Sequence, residues 1–133
     1  MLEYQISAIS KKGGTAFALA NQSKIAFDAS ANRDNVLPNP AELLLSSLSA
    51  CILKNIERFS SILDFDYEEA KVEVKGIRND NPPFMSEINY TIFIVSDMEE
   101  NKLKLLHKNI QKFGTITNTL AKCSNLHGTI KRL

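Results

Sequence analysis

The chain of 133 residues suits one domain of ordinary size, and its hydrophobic content of 44% places it among globular proteins. The formal net charge is +1, with acids and bases mixed along the sequence, which argues against a nucleic-acid-binding protein. No apolar run reaches the roughly 18 residues that span a bilayer, so no membrane partner is predicted.

The cysteine and histidine content points to a reducing compartment and to no metal. The first six residues lack the basic-then-apolar order of a signal peptide, and only two cysteines occur, which favours the cytoplasm. The two histidines are not accompanied by any Cys-x-x-Cys pair. We therefore expect no zinc or iron–sulfur site and no cofactor.

Three short strands are predicted before residue 30, because apolar and polar residues alternate there. The first of them, which carries Leu2, Tyr4, Ile6 and Ala8, has the pattern of a half-buried strand. Turns are predicted at residues 11–14 and 21–24, and the second and third strands at residues 15–20 and 25–27. Residues 29–38 are rich in Asn, Asp, Ser and Pro, which is typical of a loop.

A long helix is predicted from Pro40 to about Leu63. Asn39 suits the N-cap, Pro40 the first helical position, and Glu42 the acidic position of a capping box. The first half of this helix is apolar on nearly every side, which predicts a buried central helix. The other predicted elements are too few and too short to cover such a helix, and we therefore expect an intimate homodimer.

The second half of the chain predicts two strands, a helix and a last strand. The strands centre on Val72–Val74 and Ile88–Ile94, and a loop at residues 79–83 closes the hairpin between them. A helix over residues 99–113 should stop at Gly114, with a further helical turn or two over 115–122 and a strand over 126–133. The predicted fold is one α+β domain over residues 1–133 in the order β-β-β-α-β-β-α-β, with antiparallel hairpins covering the helices.

Cys51 lies inside the apolar central helix and allows two interpretations. It is either a small core hydrophobe, which burial statistics favour, or a nucleophile held in a dry pocket. Its position deep in the helix gains little from the helix N-terminus. Thiolate character would need a nearby cation, and Lys54 at i+3 is the nearest candidate.

Other candidate residues have structural explanations. Capping accounts for Glu42, which lies nine residues before Cys51 and so on the opposite face of a straight helix. The helix dipole and solvent account for His107, and His127 should face solvent on the last strand. Cys123 could form a redox couple with Cys51, although the sequence does not bring them together.

The order of elements and the segment Asn39-Pro-Ala-Glu-Leu-Leu-Leu-Ser-Ser-Leu-Ser-Ala-Cys51 resemble the OsmC/Ohr family of osmotically induced and organic hydroperoxide resistance proteins. Phe27-Asp28, the hairpin and Thr117-Asn-Thr-Leu120 extend the resemblance over almost the whole chain. It implies a cytoplasmic, intertwined homodimer. Strands of both chains would wrap buried central helices, with active sites at the interface.

The resemblance also implies a thiol chemistry. In active members the central-helix thiolate attacks the O–O bond and becomes a sulfenic acid, a second Cys condenses with it, and a dithiol of the lipoyl type restores the enzyme. An Arg near the N-terminal strands and a Glu before the central helix activate the thiolate. By position Cys51 matches the first Cys, whereas Gly114 falls where the second is expected. The Arg position falls near Lys11 or Lys12, and the Glu of the best peroxidase members would align at Ala41, one place before Glu42. A Glu immediately before Leu-Leu, as Glu42 is, resembles the OsmC-like branch instead.

Three hypotheses follow. The leading one is a thiol-dependent hydroperoxide reductase that uses one catalytic Cys and an external thiol reductant. Cys51 is then catalytic, Lys12 and Glu42 assist, and the expected substrate-binding residues are Thr117, Asn118 and Leu48. The alternatives are a non-catalytic binding protein that has lost the peroxidase cycle and a Cys51–Cys123 redox switch.

Overall fold

The computed structural model of the protein describes residues 1–13 and 15–133, so Gly14 of the predicted first turn lies outside the described residues. The elements are β1 (Ser7–Ser10), β2 (Ala16–Ala20), β3 (Ser23–Phe27), α1 (Pro40–Ile62), β4 (Glu69–Asp80), β5 (Pro83–Val95), α2 (Glu100–Phe113), α3 (Thr115–Ala121) and β6 (Asn125–Arg132). The chain divides into two compact units, Met1–Leu44 and Leu45–Leu133. The order of elements agrees with the predicted order, and the additional helical turns expected after Gly114 form α3.

The first unit contains an antiparallel sheet in the order β1-β2-β3. Its turns use residues that tolerate a left-handed backbone, with φ of 70° at Gly13 and 54° at Asn21. The prediction for the first strand is wrong in two respects: β1 begins at Ser7, and every one of its residues is exposed. Ile6 and Ile9 are 60% and 50% exposed, so the described residues leave both side chains largely uncovered.

An ordered loop joins β3 to α1. The Asp28 carboxylate accepts hydrogen bonds from the Ser30 backbone N–H and hydroxyl and from the Asp34 backbone N–H. These bonds to Ser30 favour the charged form and lower the pKa of Asp28. The Asp34 carboxylate in turn accepts the N–H groups of Val36 and Leu37. Side-chain bonds thus replace secondary structure along this segment.

The start of α1 follows the predicted capping box. Asn39 Oδ1 accepts the backbone N–H of Glu42 at 2.9 Å, and Glu42 Oε1 accepts the backbone N–H of Asn39 at 3.1 Å. Two N–H groups that the helix leaves without carbonyl partners are therefore satisfied reciprocally.

The second unit is built on a sheet in the order β4-β5-β6. β4 and β5 are antiparallel, and β6 runs parallel to β5, a pairing that the sequence did not predict. The parallel pairing is possible because α2 and α3 carry the chain back to the end of the sheet at which β5 begins, so β6 can run in the same direction. The hairpin turn is tighter than the predicted 79–83 loop, since Asp80 pairs with Pro83.

One apolar core joins the central strand to the helices. Ile88, Tyr90, Ile92 and Ile94 of β5 are buried, as their alternation predicted. They belong to the same cluster as residues from α1, α2 and α3, namely Leu48, Ile52, Ile56, Phe59, Leu103, Leu106, Ile110 and Leu120.

The central helix is buried along one stripe only. Its buried residues recur every three or four positions, at Leu48, Ile52, Asn55, Ile56 and Phe59. Leu44 and Leu53 are each 37% exposed, and Ile62 is 60% exposed. The expectation of a helix buried on all sides is therefore wrong for a single chain, because one sheet covers only one face of a helix.

Gly114 ends α2 as predicted, but its backbone is not left-handed, since its φ is −76°. The reason for glycine here is crowding. A Cβ atom at this position would lie 2.7 Å from Thr117 Oγ1 and 3.0 Å from the Ile110 carbonyl oxygen. Gly114 therefore lets α3 turn directly onto the end of α2.

Candidate functional site

Cys51 lies on α1 at the margin of the apolar core. Its thiol is free and half-buried, whereas Leu48 and Ile52 beside it in the sequence are fully buried. A residue that only filled the core would be covered like these neighbours. Cys51 is instead only partly covered in the single chain.

A buried amide faces the thiol. Asn55 is 9% exposed, and its Nδ2 lies 2.9 Å from the Cys51 carbonyl oxygen and 3.7 Å from Cys51 Sγ. The predicted neighbour, Lys54, is exposed to solvent. The sequence pattern pointed to a cation at i+3 and gave no sign of the polar residue at i+4, which is equally close on a helix.

Glu42 lies at the exposed start of α1. Besides its capping bonds, its Oε2 is 4.0 Å from an Arg33 guanidinium nitrogen, and the two side chains are 51% and 66% exposed. Surface pairs of this kind contribute about 0–1 kcal/mol. Capping therefore remains the main structural role, as predicted. Arg33 was missed because its loop carries no periodic pattern that places it beside the helix.

Lys12 occupies the turn between β1 and β2, and its side chain is exposed like that of Lys11. This is the solvated hairpin tip that two adjacent lysines usually form.

The expected substrate-binding residues differ in their surroundings. Thr117 is 3% exposed, and within the described part of the chain its Oγ1 is a buried side-chain oxygen without a hydrogen-bond partner. Asn118 is exposed, and its Nδ2 donates to the Lys112 carbonyl oxygen at 3.0 Å. Leu48 is fully buried in the core.

Cys123 and the histidines lie in distinct places. Cys123 is exposed and free after α3, with Sγ 3.6 Å from the Leu120 carbonyl oxygen. His127 faces solvent on β6, as predicted. The prediction for His107 is wrong: it is half-buried, and its Nε2 lies 2.9 Å from the Tyr90 hydroxyl oxygen. The basic last turn of α2 suggested a solvated His107, but its spacing of four from Leu103 and three from Ile110 puts it beside the buried stripe. There the Tyr90 hydroxyl of β5 meets it.

A surface cavity of about 340 Å³ lies at the end of α1 and is lined by Glu57, Ser60, Phe65, Asp66, Tyr67 and Glu68. The hydrogen bond from Tyr67 to the Glu57 carboxylate raises the pKa of Tyr67 to about 12. None of these lining residues belongs to the predicted site. Across residues 1–13 and 15–133, no helix is long and apolar enough to cross a membrane.

Comparison with known proteins agrees with this architecture. The sequence model described as "OsmC-like protein" matches residues 32–127. An OsmC-like protein from Mycoplasma pneumoniae has a TM-score of 0.89 and 22% identity, with 99% of this chain and 98% of that chain covered. No match was found among curated proteins.

More distant solved structures share the same fold. An OsmC-like protein of unknown function from Vibrio cholerae has a TM-score of 0.82 and 15% identity, with 98% of this chain and 100% of that chain covered. An organic hydroperoxide resistance protein of Bacillus subtilis has a TM-score of 0.70 and 12% identity, with 98% of each chain covered. The family match covers most of the chain and includes α1 with Cys51, so this protein belongs to the OsmC-like family.

Proposed function

We propose that the protein is a thiol-dependent hydroperoxide reductase with one peroxidatic cysteine, Cys51, and an external thiol as reductant. The observation that carries the proposal is the half-buried Cys51 thiol at the edge of an apolar core, beside the amide of buried Asn55. Partial shelter suits an organic hydroperoxide, because its carbon chain is apolar and its O–O group must reach the sulfur. Membership of the OsmC-like family supports the same chemistry.

The proposed cycle needs two equivalents of external thiol. The Cys51 thiolate attacks the terminal hydroperoxide oxygen, the O–O bond breaks, and the alcohol leaves after its oxygen takes up a proton. Cys51 is thereby oxidised to a sulfenic acid. One external thiol then condenses with it, releasing water and forming a mixed disulfide. A second attacks the external sulfur of that disulfide, which frees Cys51 and leaves the reductant as its disulfide.

Lys12 and Glu42 are proposed to assist. Positive charge from a lysine favours a thiolate, and a carboxylate can hold the lysine in place. Both side chains are exposed in the single chain. The proposal therefore gives them this role in an assembly where another chain covers them.

Thr117, Asn118 and Leu48 are proposed to line the substrate pocket. The unpartnered hydroxyl of buried Thr117 supports this, because a bound polar group would satisfy it. The Asn118 amide already holds the end of α2, so its proposed contribution is to the wall of the pocket. Leu48 would form an apolar floor.

We further propose that the working form is a homodimer in the cytoplasm. Apolar side chains of the first unit are left exposed, among them Ile9, Leu19 and Ile25 at 50%, 37% and 46%. A three-stranded sheet needs an apolar face covered to be stable on its own. A second copy of this chain would supply that cover and enclose the site.

Trapping of the sulfenic acid tests the proposal. After treatment with cumene hydroperoxide, a dimedone-type reagent should label Cys51, as measured by peptide mass spectrometry. The Cys123→Ser variant should label equally, since Cys123 plays no part in the first step. The proposal would be contradicted if Cys51 stayed unlabelled under conditions in which a protein known to form a sulfenic acid is labelled.

A second candidate is a binding protein without peroxidase activity. It is favoured over a two-cysteine cycle by the crowding at Gly114, where the side chain of a second cysteine would contact Thr117 Oγ1 and the Ile110 carbonyl oxygen. This candidate predicts that a hydroperoxide raises the Tm of wild type and Cys51→Ser equally and that neither consumes it. The peroxidase proposal predicts consumption by wild type alone.

A further inference from the structure

The Asn55 side chain bridges two atoms of the same residue one helical turn earlier. Its Nδ2 lies 2.9 Å from the Cys51 carbonyl oxygen and 3.7 Å from Cys51 Sγ. Side chains on a helix lean toward its N-terminus, so a residue at i+4 reaches back over residue i. The contact is therefore a direct product of the Cys51–Asn55 spacing.

The orientation of the amide follows from chemistry. The Cys51 carbonyl oxygen can only accept a hydrogen bond, so the Asn55 atom at 2.9 Å must be the nitrogen. That nitrogen carries two N–H groups and accepts none. One N–H binds the carbonyl, and the other is left to face the sulfur.

A donor that cannot accept favours the ionised sulfur over the neutral thiol. A neutral S–H is a weak acceptor, whereas a thiolate binds an N–H group through a stronger, charge-assisted bond. Because Asn55 is buried, its amide is shielded from bulk water on the donor side of this bond. The side chain of Lys54, in contrast, is exposed.

Asparagine is a costly choice at this position. It is a weak helix former, and it interrupts a buried stripe made of Ile52, Ile56 and Phe59. A leucine of similar size would pack there without polar groups to satisfy. A role at the thiol explains why a polar side chain is buried here.

We propose that Asn55 is a positioning residue that holds and stabilises the ionised sulfur of Cys51 through its side-chain N–H. This rests on the proposed function in assigning Cys51 the reactive role. The inference concerns the readiness of the thiol to react, and it can be measured without any peroxide.

The test is the rate of Cys51 alkylation by iodoacetamide as a function of pH, in full-length protein carrying Cys123→Ser. With Asn55→Leu the rate should fall about tenfold near pH 7 and match the parent at high pH, where every thiol is ionised. The Tm should be equal or higher, since a buried polar group is replaced by an apolar one of similar shape. A purely structural role predicts the opposite pair of results, namely a lower Tm and an unmoved pH profile.

Two further variants keep the test decisive. Asn55→Ser can still bond the carbonyl at i−4 but is too short to hold the sulfur, so its alkylation near neutral pH should also be slow. Ser49→Ala is the matched control, because Ser49 Oγ bonds the Leu45 carbonyl at 3.1 Å in the same helix and residues two apart on a helix, such as Ser49 and Cys51, do not face each other. Its pH profile should equal that of the parent.

The outcomes separate this inference from the proposed function. An unmoved pH profile in both Asn55→Leu and Asn55→Ser would overturn the role of Asn55, whether or not the protein consumes hydroperoxide. A shifted profile in a protein that consumes no hydroperoxide would uphold the role of Asn55 and contradict only the peroxidase proposal.

Discussion

At the scale of single residues, Gly114 and Thr117 form a crowded pair. The α-carbon of Gly114 faces Thr117 Oγ1, and an added Cβ would lie 2.7 Å from that oxygen. The same hydroxyl is buried without a partner. Gly114 also stands where the family resemblance expects a second cysteine, so the pair determines whether a two-cysteine cycle fits this chain.

We expect Gly114→Cys to destabilise the protein by about 1–3 kcal/mol, because overpacking forces Thr117 or the end of α2 to move. Thr117→Ala alone should cost little, since the loss of a buried methyl group is offset by the removal of an unsatisfied hydroxyl. The double variant should recover most of the loss, which urea unfolding would measure as a coupling energy. Gly114→Cys as stable as wild type would contradict the crowding.

The sequence identified Cys51 because a thiol in an apolar helix stands out. It did not identify Asn55, whose role depends on where its amide points. Glu42 could be assigned to the helix cap from its spacing to Asn39 alone, since capping is a local property. The ion pair between Arg33 and Glu42 could not be predicted, because only the folded loop brings the two side chains together.

At the scale of elements, a polar contact joins α2 to the sheet. The Tyr90 hydroxyl meets His107 Nε2 inside a largely apolar contact, with the two rings edge to face and 5.8 Å between centroids. Gly128 on β6 makes room for the Tyr90 ring, since a Cβ there would lie 1.8 Å from its Cζ atom. Burial lowers the pKa of His107 and raises the pKa of Tyr90.

The lowered pKa of His107 predicts acid sensitivity. Because the unfolded chain binds this proton more readily, the stabilising contribution is present above the ordinary pKa of 6.5 and is lost as pH falls through the lowered value. Between about pH 8 and about pH 5, the Tm of His107→Gln should therefore fall by a few degrees less than the Tm of wild type.

His127→Gln is the control for that measurement, because His127 is exposed on β6 and belongs to the same unit. Its Tm should follow the pH dependence of wild type. If the Tm of His107→Gln and the Tm of His127→Gln depend on pH in the same way, the buried contact between His107 and Tyr90 does not cause the loss of stability in acid.

Helices and strands were predictable wherever their pattern was local. The alternation along β5 and the cap of α1 specified both elements, but the β5–β6 pairing is parallel and depends on the path of α2 and α3. The exposure of β1 and of one side of α1 was not predictable from periodicity. Periodicity reports which residues are apolar, and a single chain leaves some of them uncovered.

At the scale of the whole molecule, the uncovered apolar residues predict assembly. Light scattering at micromolar concentration should give twice the chain mass of 14.9 kDa. Ile9→Glu should lower that mass toward the monomer, since a charge at this strand position would be desolvated in the interface. Leu133→Glu, also at an exposed apolar residue but at the far end of the chain, is the control.

A monomeric wild type would contradict the dimer and, with it, the assisting roles proposed for Lys12 and Glu42. Cys51 and Asn55 would keep their relation, because both lie on α1 of one chain. Assembly and thiol reactivity are thus separable claims, and each has its own measurement.

The decisive assay for the role of Cys51 is the consumption of hydroperoxide. With cumene hydroperoxide and a dithiol in excess, wild type and Cys123→Ser should consume the peroxide at equal rates, with one disulfide of the reductant formed per peroxide. Cys51→Ser should show only the uncatalysed rate, measured without protein. Consumption by Cys51→Ser at the wild-type rate, or by no variant with any thiol, would contradict the assignment of Cys51 as the peroxidatic residue.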